Sequence, residues 1–398
     1  RSGAYLLCGI RLASTSLDSR AFHQELGQKR LNEKVMIITR TPFRISLFGG
    51  GTDYPAWFRE HGGAVLSTTI DKYCYISARY LPPFFEHQFR VVYSQIESTN
   101  KIEEIEHPSV RATLKYLNIK SGVEIHHDGD LPARSGMGSS SSFTVGLLNA
   151  MHALQGHMPT REQLANESIE IEQNIIKENV GSQDQVNAAY GGFNHILFHK
   201  SGEISVRPII IPTNRLEELT SHLMLFYTGI KRTADKVAGS YLPTLDGKRR
   251  QLRILRDMVD EAIFVLCGQG SIEEFGELLH ETWLAKQAIS DKISNPAITE
   301  VYDAARDAGA IGGKITGAGG GGFMLLFVPP QQQPEVREKL TNLLHVPFNF
   351  ENAGSQVIFY DRDQDYSATE ADNKSRQLTK FRELDELEVT GKETAVFA

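Results

Sequence analysis

The chain has 398 residues, 40% hydrophobic and 23% charged, with a net charge of −7 and a pI near 6.0. That balance leaves no basic footprint for nucleic acid and no polybasic stretch for an anionic membrane, and no apolar run approaches the roughly 18 residues that would cross a bilayer. Cys8, Cys74 and Cys267 are far apart and form no CxxC pair, so neither a disulfide framework nor a thiolate zinc site is supported, and a reducing cytoplasm is the expected setting.

Residues 1–35 are rich in Arg and Ser, with no acid before Asp18; they read as an extension outside the fold, either a transit peptide or sequence carried upstream of a start at Met36. A strand is predicted over 36–48 and is broken by "GGGTDYPAWF". "GAVLSTTIDKYCYISARYL" is a second β-rich stretch, and "VEIHHDGDLP" is a short strand running into a Gly–Ser loop. Beyond the loop, Phe143, Leu147, Leu148, Met151 and Leu154 recur at helical spacing, and a second amphipathic helix is predicted over 161–178. "FNHILF" reads as a strand, a second domain opens near residue 215, and helices are predicted near 249–267, 271–289 and 297–308. "KITGAGGGGFMLLFVP" is a turn feeding a strand, and the charged residues 361–398 read as an extension outside the core. Strands and helices mix without strict βαβ alternation, which favours an α+β fold.

The loop "LPARSGMGSSSSF" is the most informative stretch. Gly136 and Gly138 allow positive φ and close backbone approach, and the following helix offers unpaired N–H groups at the positive end of its dipole. Together these make an anion site, most often for phosphate, and the serines add hydroxyls. It is not a Walker A loop, because no Gly-Lys in the chain is followed by Ser or Thr. "GAGGGG" at 317–322 fits G-x-G-x-x-G by letter, but it precedes a strand and no helix, so it is no dinucleotide fingerprint.

Three charged residues stand out by position. In the 161–178 helix, Leu164, Ala165, Ser168, Ile169, Ile175 and Ile176 define an apolar stripe, and Glu172 falls within it, where an acid needs a partner or a metal; Glu167 and Glu170 fall on the solvated face. Arg44 sits inside the apolar "FRISLF" and also needs a partner. Asp184, in the polar "GSQDQ", is open to a reading as turn chemistry.

"PARSGMGSSSS" resembles the phosphate loop of the GHMP small-molecule kinases. "TPFRISLFGGGTDY" at 41–54 and "KITGAGGGGFMLLF" at 314–327 resemble the family's N-terminal and C-terminal motifs, in the right order. The resemblance covers about residues 36–360. It implies an α+β two-domain GHMP kinase fold: an N-terminal, ATP-binding domain of the ribosomal S5 domain 2-like type over 36–205, and a ferredoxin-like C-terminal domain over 215–360. It implies that Pro132, Arg134, Gly136, Met137, Gly138, Ser139, Ser140 and Ser141 hold ATP, and that Ser140 and Glu172 hold Mg²⁺. Asp184 becomes the catalytic acid–base residue, with Arg44 beside it offsetting charge in the transition state, while Gly50, Gly51, Thr52, Asp53, Tyr54, Gly319 and Gly320 join Asp184 around the substrate. Two departures are visible. The Glu-His of galactokinases is replaced by Gly50-Gly51, which argues against galactose, and the spacing from Glu172 to Asp184 is one residue longer than in mevalonate kinase. "VGSQDQVNAAYGGFNHILF" and "GGGTDY" resemble most the sugar 1-kinase branch acting on D-glycero-D-manno-heptose 7-phosphate, with fucokinase-like enzymes nearby and a non-catalytic sensor as a third reading. A 7-phosphate needs cations at the cleft edge, for which Lys231 and Arg232 are the candidates. The expected partners are ATP and a small sugar or sugar phosphate; homo-oligomerisation is left open.

Overall fold

A computed structural model of the chain describes residues 33–81, 85–230, 239 and 247–365. The first unit runs β1 (Glu33–Phe48), α1 (Pro55–His61), β2 (Gly63–Tyr80), β3 (Phe89–Val92), β4 (Ile96–Thr99), α2 (Pro108–Tyr116), β5 (Val123–Gly129), α3 (Ser139–Leu154), α4 (Arg161–Ile169), a π-helical segment (Glu170–Ile175), α5 (Gln183–Tyr190), β6 (Phe193–Phe198) and β7 (Ile204–Pro208). The second runs α6 (Thr213–His222), β8 (Leu223–Tyr227), α7 (Arg249–Cys267), α8 (Glu273–Gln287), α9 (Pro296–Asp307), β9 (Gly312–Ile315), β10 (Phe323–Phe327), α10 (Gln333–Lys339) and β11 (Leu344–His345); β12 (Phe350–Glu351) and β13 (Gln356–Asp365) close the described chain.

The first sheet has the order β13-β1-β2-β5-β3-β4, with β6 and β12 also pairing β2 and β7 pairing β6; only the β3–β5 pair is parallel. Along β2, Gly63–Ile70 is buried without alternation, whereas from Cys74 onward buried and half-buried positions alternate. The inner half therefore has protein on both faces, and the outer half on one. Helix α3 lies across β1 and β2 and buries Phe143, Leu147, Ala150 and Met151 among Ile37, Ile45 and Ile76. The second sheet, β11-β8-β10-β9, is antiparallel throughout. Numbered in chain order its strands run 4-1-3-2, the split βαβ arrangement of ferredoxin-like domains. Phe48 at the end of β1 meets Phe275 of α8 edge-on, with ring centroids 5.0 Å apart, so the two units share one apolar core.

Three expectations need correction. The helix predicted over 161–178 is α-helical only to Ile169 and π-helical over Glu170–Ile175, and the change of phase leaves Ile175, assigned to the buried stripe, 44% exposed. Glu167 is not on a solvated face; its carboxylate bonds His152 Nε2 at 2.6 Å. The boundaries at 35 and 360 are crossed by paired backbone: Glu33 lies opposite Asp365, and β12 and β13 return from the second unit to the first sheet. Among the described residues no helix is long and apolar enough to cross a membrane.

Candidate active site

The loop before α3 folds as its glycines allow. Gly136 (φ +83°) and Gly138 (φ +74°) are left-handed, and so is Arg134 (φ +61°), which adopts that conformation at a cost because it carries a side chain. Gly138 is the N-cap of the 16-residue helix α3, so the first-turn N–H groups, from Ser139 on, have no intrahelical acceptor. Pro132, Arg134 and Ser140 are exposed and Ser139 is half-buried, while Met137, Ser141 and Ser142 are buried. Ser139 Oγ accepts from the Arg134 N–H at 3.3 Å, and Ser142 Oγ donates to Pro42 O at 3.0 Å. The second unit braces the loop from behind: Gly322 sits so close that a Cβ there would come within 2.0 Å of Ser135 O.

Arg44, 3% exposed on β1, ties this loop to Asp184. Its N–H donates to Met137 O (3.1 Å) and its Nη1 to Gly136 O (2.6 Å). Nε and Nη2 donate to the two carboxylate oxygens of Asp184 at 2.7 and 2.8 Å, a two-pronged ion pair. Asp184 lies in the first turn of α5, its side chain still 26% exposed. A Cβ on Gly138 would be 3.2 Å from Arg44 Cγ and 3.6 Å from the Asp184 carboxylate. A partly open carboxylate, held by two hydrogen bonds, thus sits against a turn whose free N–H groups suit an anion.

Glu172 is wholly buried in the π segment. One carboxylate oxygen accepts from Ser141 Oγ (2.8 Å) and from Gln185 Nε2; the other has no hydrogen-bond partner among the described residues. Burial pushes its pKa up to about 7, against the pull of Thr144, Ser141 and Gln185. A buried, half-satisfied carboxyl is costly unless protonated or met by a cation. The donor set, one carboxylate with serine hydroxyls beside a phosphate site, is hard oxygen and suits Mg²⁺. It is Ser141, not Ser140, whose hydroxyl touches Glu172.

Asp53 is 1% exposed. Its Oδ1 accepts from the Gly51 N–H (2.9 Å), its Oδ2 from the Gln183 N–H (3.3 Å), and its carbonyl from the Ser182 N–H (3.0 Å). Burial raises its pKa, with the nearby Asp184 adding to the rise. Thr52 is buried with its hydroxyl on the Gly49 and Ala64 carbonyls, and the buried Tyr54 starts α1. The Gly50–Asp53 turn is thereby clamped to the start of α5, one residue from Asp184. Gly319 and Gly320, in the turn that brings Gly322 against Ser135, are folded onto Ile293, whose carbonyl accepts the Gly320 N–H at 2.7 Å. Lys231 and Arg232 lie outside the described residues. Sequence reasoning overlooked Gln183 and Gln185, which flank Asp184 and bind the other two acids, and Lys314, a cation inside a strand just as Arg44 is.

Two family models match, "GHMP kinases N terminal domain" over residues 105–192 and "GHMP kinases C terminal" over residues 263–346. A D-glycero-alpha-D-manno-heptose 7-phosphate kinase from Campylobacter jejuni is 29% identical over 309 residues, covering 75% of this chain and 91% of its own. The L-fucokinase/L-fucose-1-P guanylyltransferase of Bacteroides fragilis is 25% identical over 76% of this chain, which spans only 36% of that longer protein. In fold, the crystal structure of a D-glycero-D-manno-heptose 1-phosphate kinase from Bacteroides thetaiotaomicron aligns with a TM-score of 0.65 at 23% identity, covering 81% of this chain and 98% of the other. With both halves of the family matched in order, and the same two-unit fold carrying the glycine turn, the chain belongs to the GHMP kinase superfamily of ATP-dependent phosphotransferases.

Proposed function

We propose that the chain transfers the γ-phosphoryl group of ATP to the anomeric hydroxyl of D-glycero-D-manno-heptose 7-phosphate, giving the 1,7-bisphosphate. The observation that carries the chemistry is the Arg44–Asp184 pair against Gly138. The observation that carries the sugar is the likeness to the Campylobacter jejuni enzyme over most of both chains. In this reading Gly138 and the first N–H groups of α3 take the phosphate oxygens, with Arg134, Ser139 and Ser140 beside them. Asp184 orients the sugar hydroxyl and accepts its proton as the oxygen attacks phosphorus. Arg44 keeps the carboxylate in place and offsets negative charge that builds during transfer. Glu172 would hold Mg²⁺ with Ser141, whose hydroxyl touches it, and with the exposed Ser140 beside them; when bound the ion neutralises phosphate charge. The Gly50–Asp53 turn forms the sugar end of the site, and Lys231 and Arg232 are the cations offered to the 7-phosphate.

L-Fucose is the second reading, favoured by the likeness to the Bacteroides fragilis protein. An ADP-release assay over sugars and sugar 7-phosphates, with NMR of the product, decides between them. Preferred turnover of heptose 7-phosphate with phosphate appearing at the anomeric carbon supports the proposal. Preference for L-fucose moves the assignment to the second reading, and ATP binding without turnover of any sugar would leave a sensor.

A further inference from the structure

The end of β1 is held from the second unit by a buried amine. Lys314 of β9 is 1% exposed, and its Nζ donates to the carbonyls of Ser46 (2.9 Å) and Leu47 (2.8 Å). Those carbonyls lie at an irregularity: after a first slip between Pro42 and Phe43, β1 and β2 pair regularly from Phe43 opposite Ile70 to Ser46 opposite Ser67, then slip again, so that Phe48 lies opposite Leu66 and Leu47 has no partner. This is a bulge, the usual device for re-aiming a strand beside a site, and it frees carbonyls from the ladder. The chain then turns at Gly49 (φ +79°), packed so tightly that a Cβ would come within 2.0 Å of Ala64 O, and leads into the turn that carries Asp53. Arg44 lies two residues before Ser46.

Packing alone is a poor reason for a lysine here. Among the described residues no carboxylate pairs with Lys314; the charges that bear on it are Lys286 and Arg44, both cations, and with burial they hold its ammonium well below the ordinary lysine range. Methionine would fill a similar volume without burying an amine. What methionine cannot do is donate to two carbonyls released by a bulge.

We propose that Lys314 is a positioning residue for phosphoryl transfer: reaching across from the second unit, it caps the bulge at Ser46 and Leu47 and so fixes Arg44, and through it Asp184, against the phosphate loop. The proposal rests on the family's chemistry and not on which sugar is used.

The test compares Lys314→Met and Lys314→Ala with the wild type, using MgATP and D-glycero-D-manno-heptose 7-phosphate, or L-fucose if the wild type turns that over instead. In Lys314→Met, kcat should fall about 10- to 100-fold, the effect of a misplacement of order 1 Å, while KM for ATP changes less than about threefold. In Lys314→Ala, n-propylamine, which replaces the deleted methylenes and amine, should restore kcat in a saturable way and leave the wild type unaffected. Wild-type kcat in a folded Lys314→Met protein overturns the proposal. So does loss of thermal stability with kcat preserved, failure of n-propylamine to rescue a folded Lys314→Ala protein, or failure of both variants to fold, which would make Lys314 a residue of folding alone.

Discussion

Asp184→Asn probes the centre of the site with a change of one atom. The native carboxylate accepts two hydrogen bonds from a single guanidinium, at 2.7 and 2.8 Å. Asparagine offers one oxygen, so whichever way its amide turns, one Arg44 bond is lost and an N–H is set against an N–H. Arg44 is 3% exposed, which leaves water little room to take the freed donor. Hydrogen bonds to charged groups contribute about 1.5–3 kcal/mol, so the variant should lose thermal stability measurably and still fold. Removing the base itself lowers turnover about 10²–10⁴-fold, equivalent to about 3–5 kcal/mol of barrier. In the proposed reading the ATP phosphates meet backbone N–H groups of the loop and α3, which the substitution leaves in place, so KM for ATP should move less than about threefold while kcat falls at least about 100-fold. Steady-state ADP release at saturating sugar, with ATP binding measured separately by calorimetry, separates the two effects. A folded Asp184→Asn protein within about tenfold of wild-type kcat, or one whose loss lies in KM for ATP alone, would refute the assignment of Asp184 to proton transfer.

Three further outcomes follow from the same geometry. Gly138→Val places a branched side chain at φ +74°, with its Cβ 3.2 Å from Arg44 Cγ, and should weaken ATP binding in calorimetry; unchanged affinity would remove Gly138 from the phosphate site. Because burial raises the Glu172 pKa from 4.5 to about 7, the native state holds a proton that the unfolded chain releases, and metal-free stability should fall as pH rises from 4.5 to 7; the slope, summing to about 3 kcal/mol, should vanish in Glu172→Gln when unfolding is followed across that window. Arg232→Ala should raise KM for heptose 7-phosphate and leave KM for ATP and for any neutral sugar little changed, as read from steady-state kinetics; an equal effect on a neutral sugar would return Arg232 to surface charge.

What was legible in the sequence was local. The glycines of the phosphate loop, the strand before it and the helix behind it follow from composition and periodicity, and Arg44 and Glu172 are conspicuous as charges inside apolar patterns. The π segment was not legible, because a wide turn keeps the composition of an α-helix and alters only its phase. Ser141 is indistinguishable from Ser140 by pattern, because a run of four hydroxyls carries no record of which one the helix turns inward. The return of β13 to β1 was hidden for another reason: the pairing joins residues some 320 positions apart, Ile37 with Tyr360, and neither strand announces its partner. Gly319 and Gly320 fold onto Ile293, a contact between two loops that no local pattern encodes.

The distribution of charge in the site has one consistent direction. Burial pushes Asp53 and Glu172 up and Lys314 down, each toward its neutral form. Each of the three also holds neighbouring elements together. Asp53 clamps the 50–53 turn to α5, Glu172 joins Ser141 of α3 to Gln185 of α5, and Lys314 holds the bulge. Arg44 and Asp184 differ from them: they face one another as an ion pair, and Asp184 alone of the site's acids keeps a substantial part of its side chain in the open. Burial thus disfavours charge in the three supports, and in the proposed reading the one partly open carboxylate is left facing Arg44 where a hydroxyl and a phosphate would meet, in a frame that need not reorganise when they arrive.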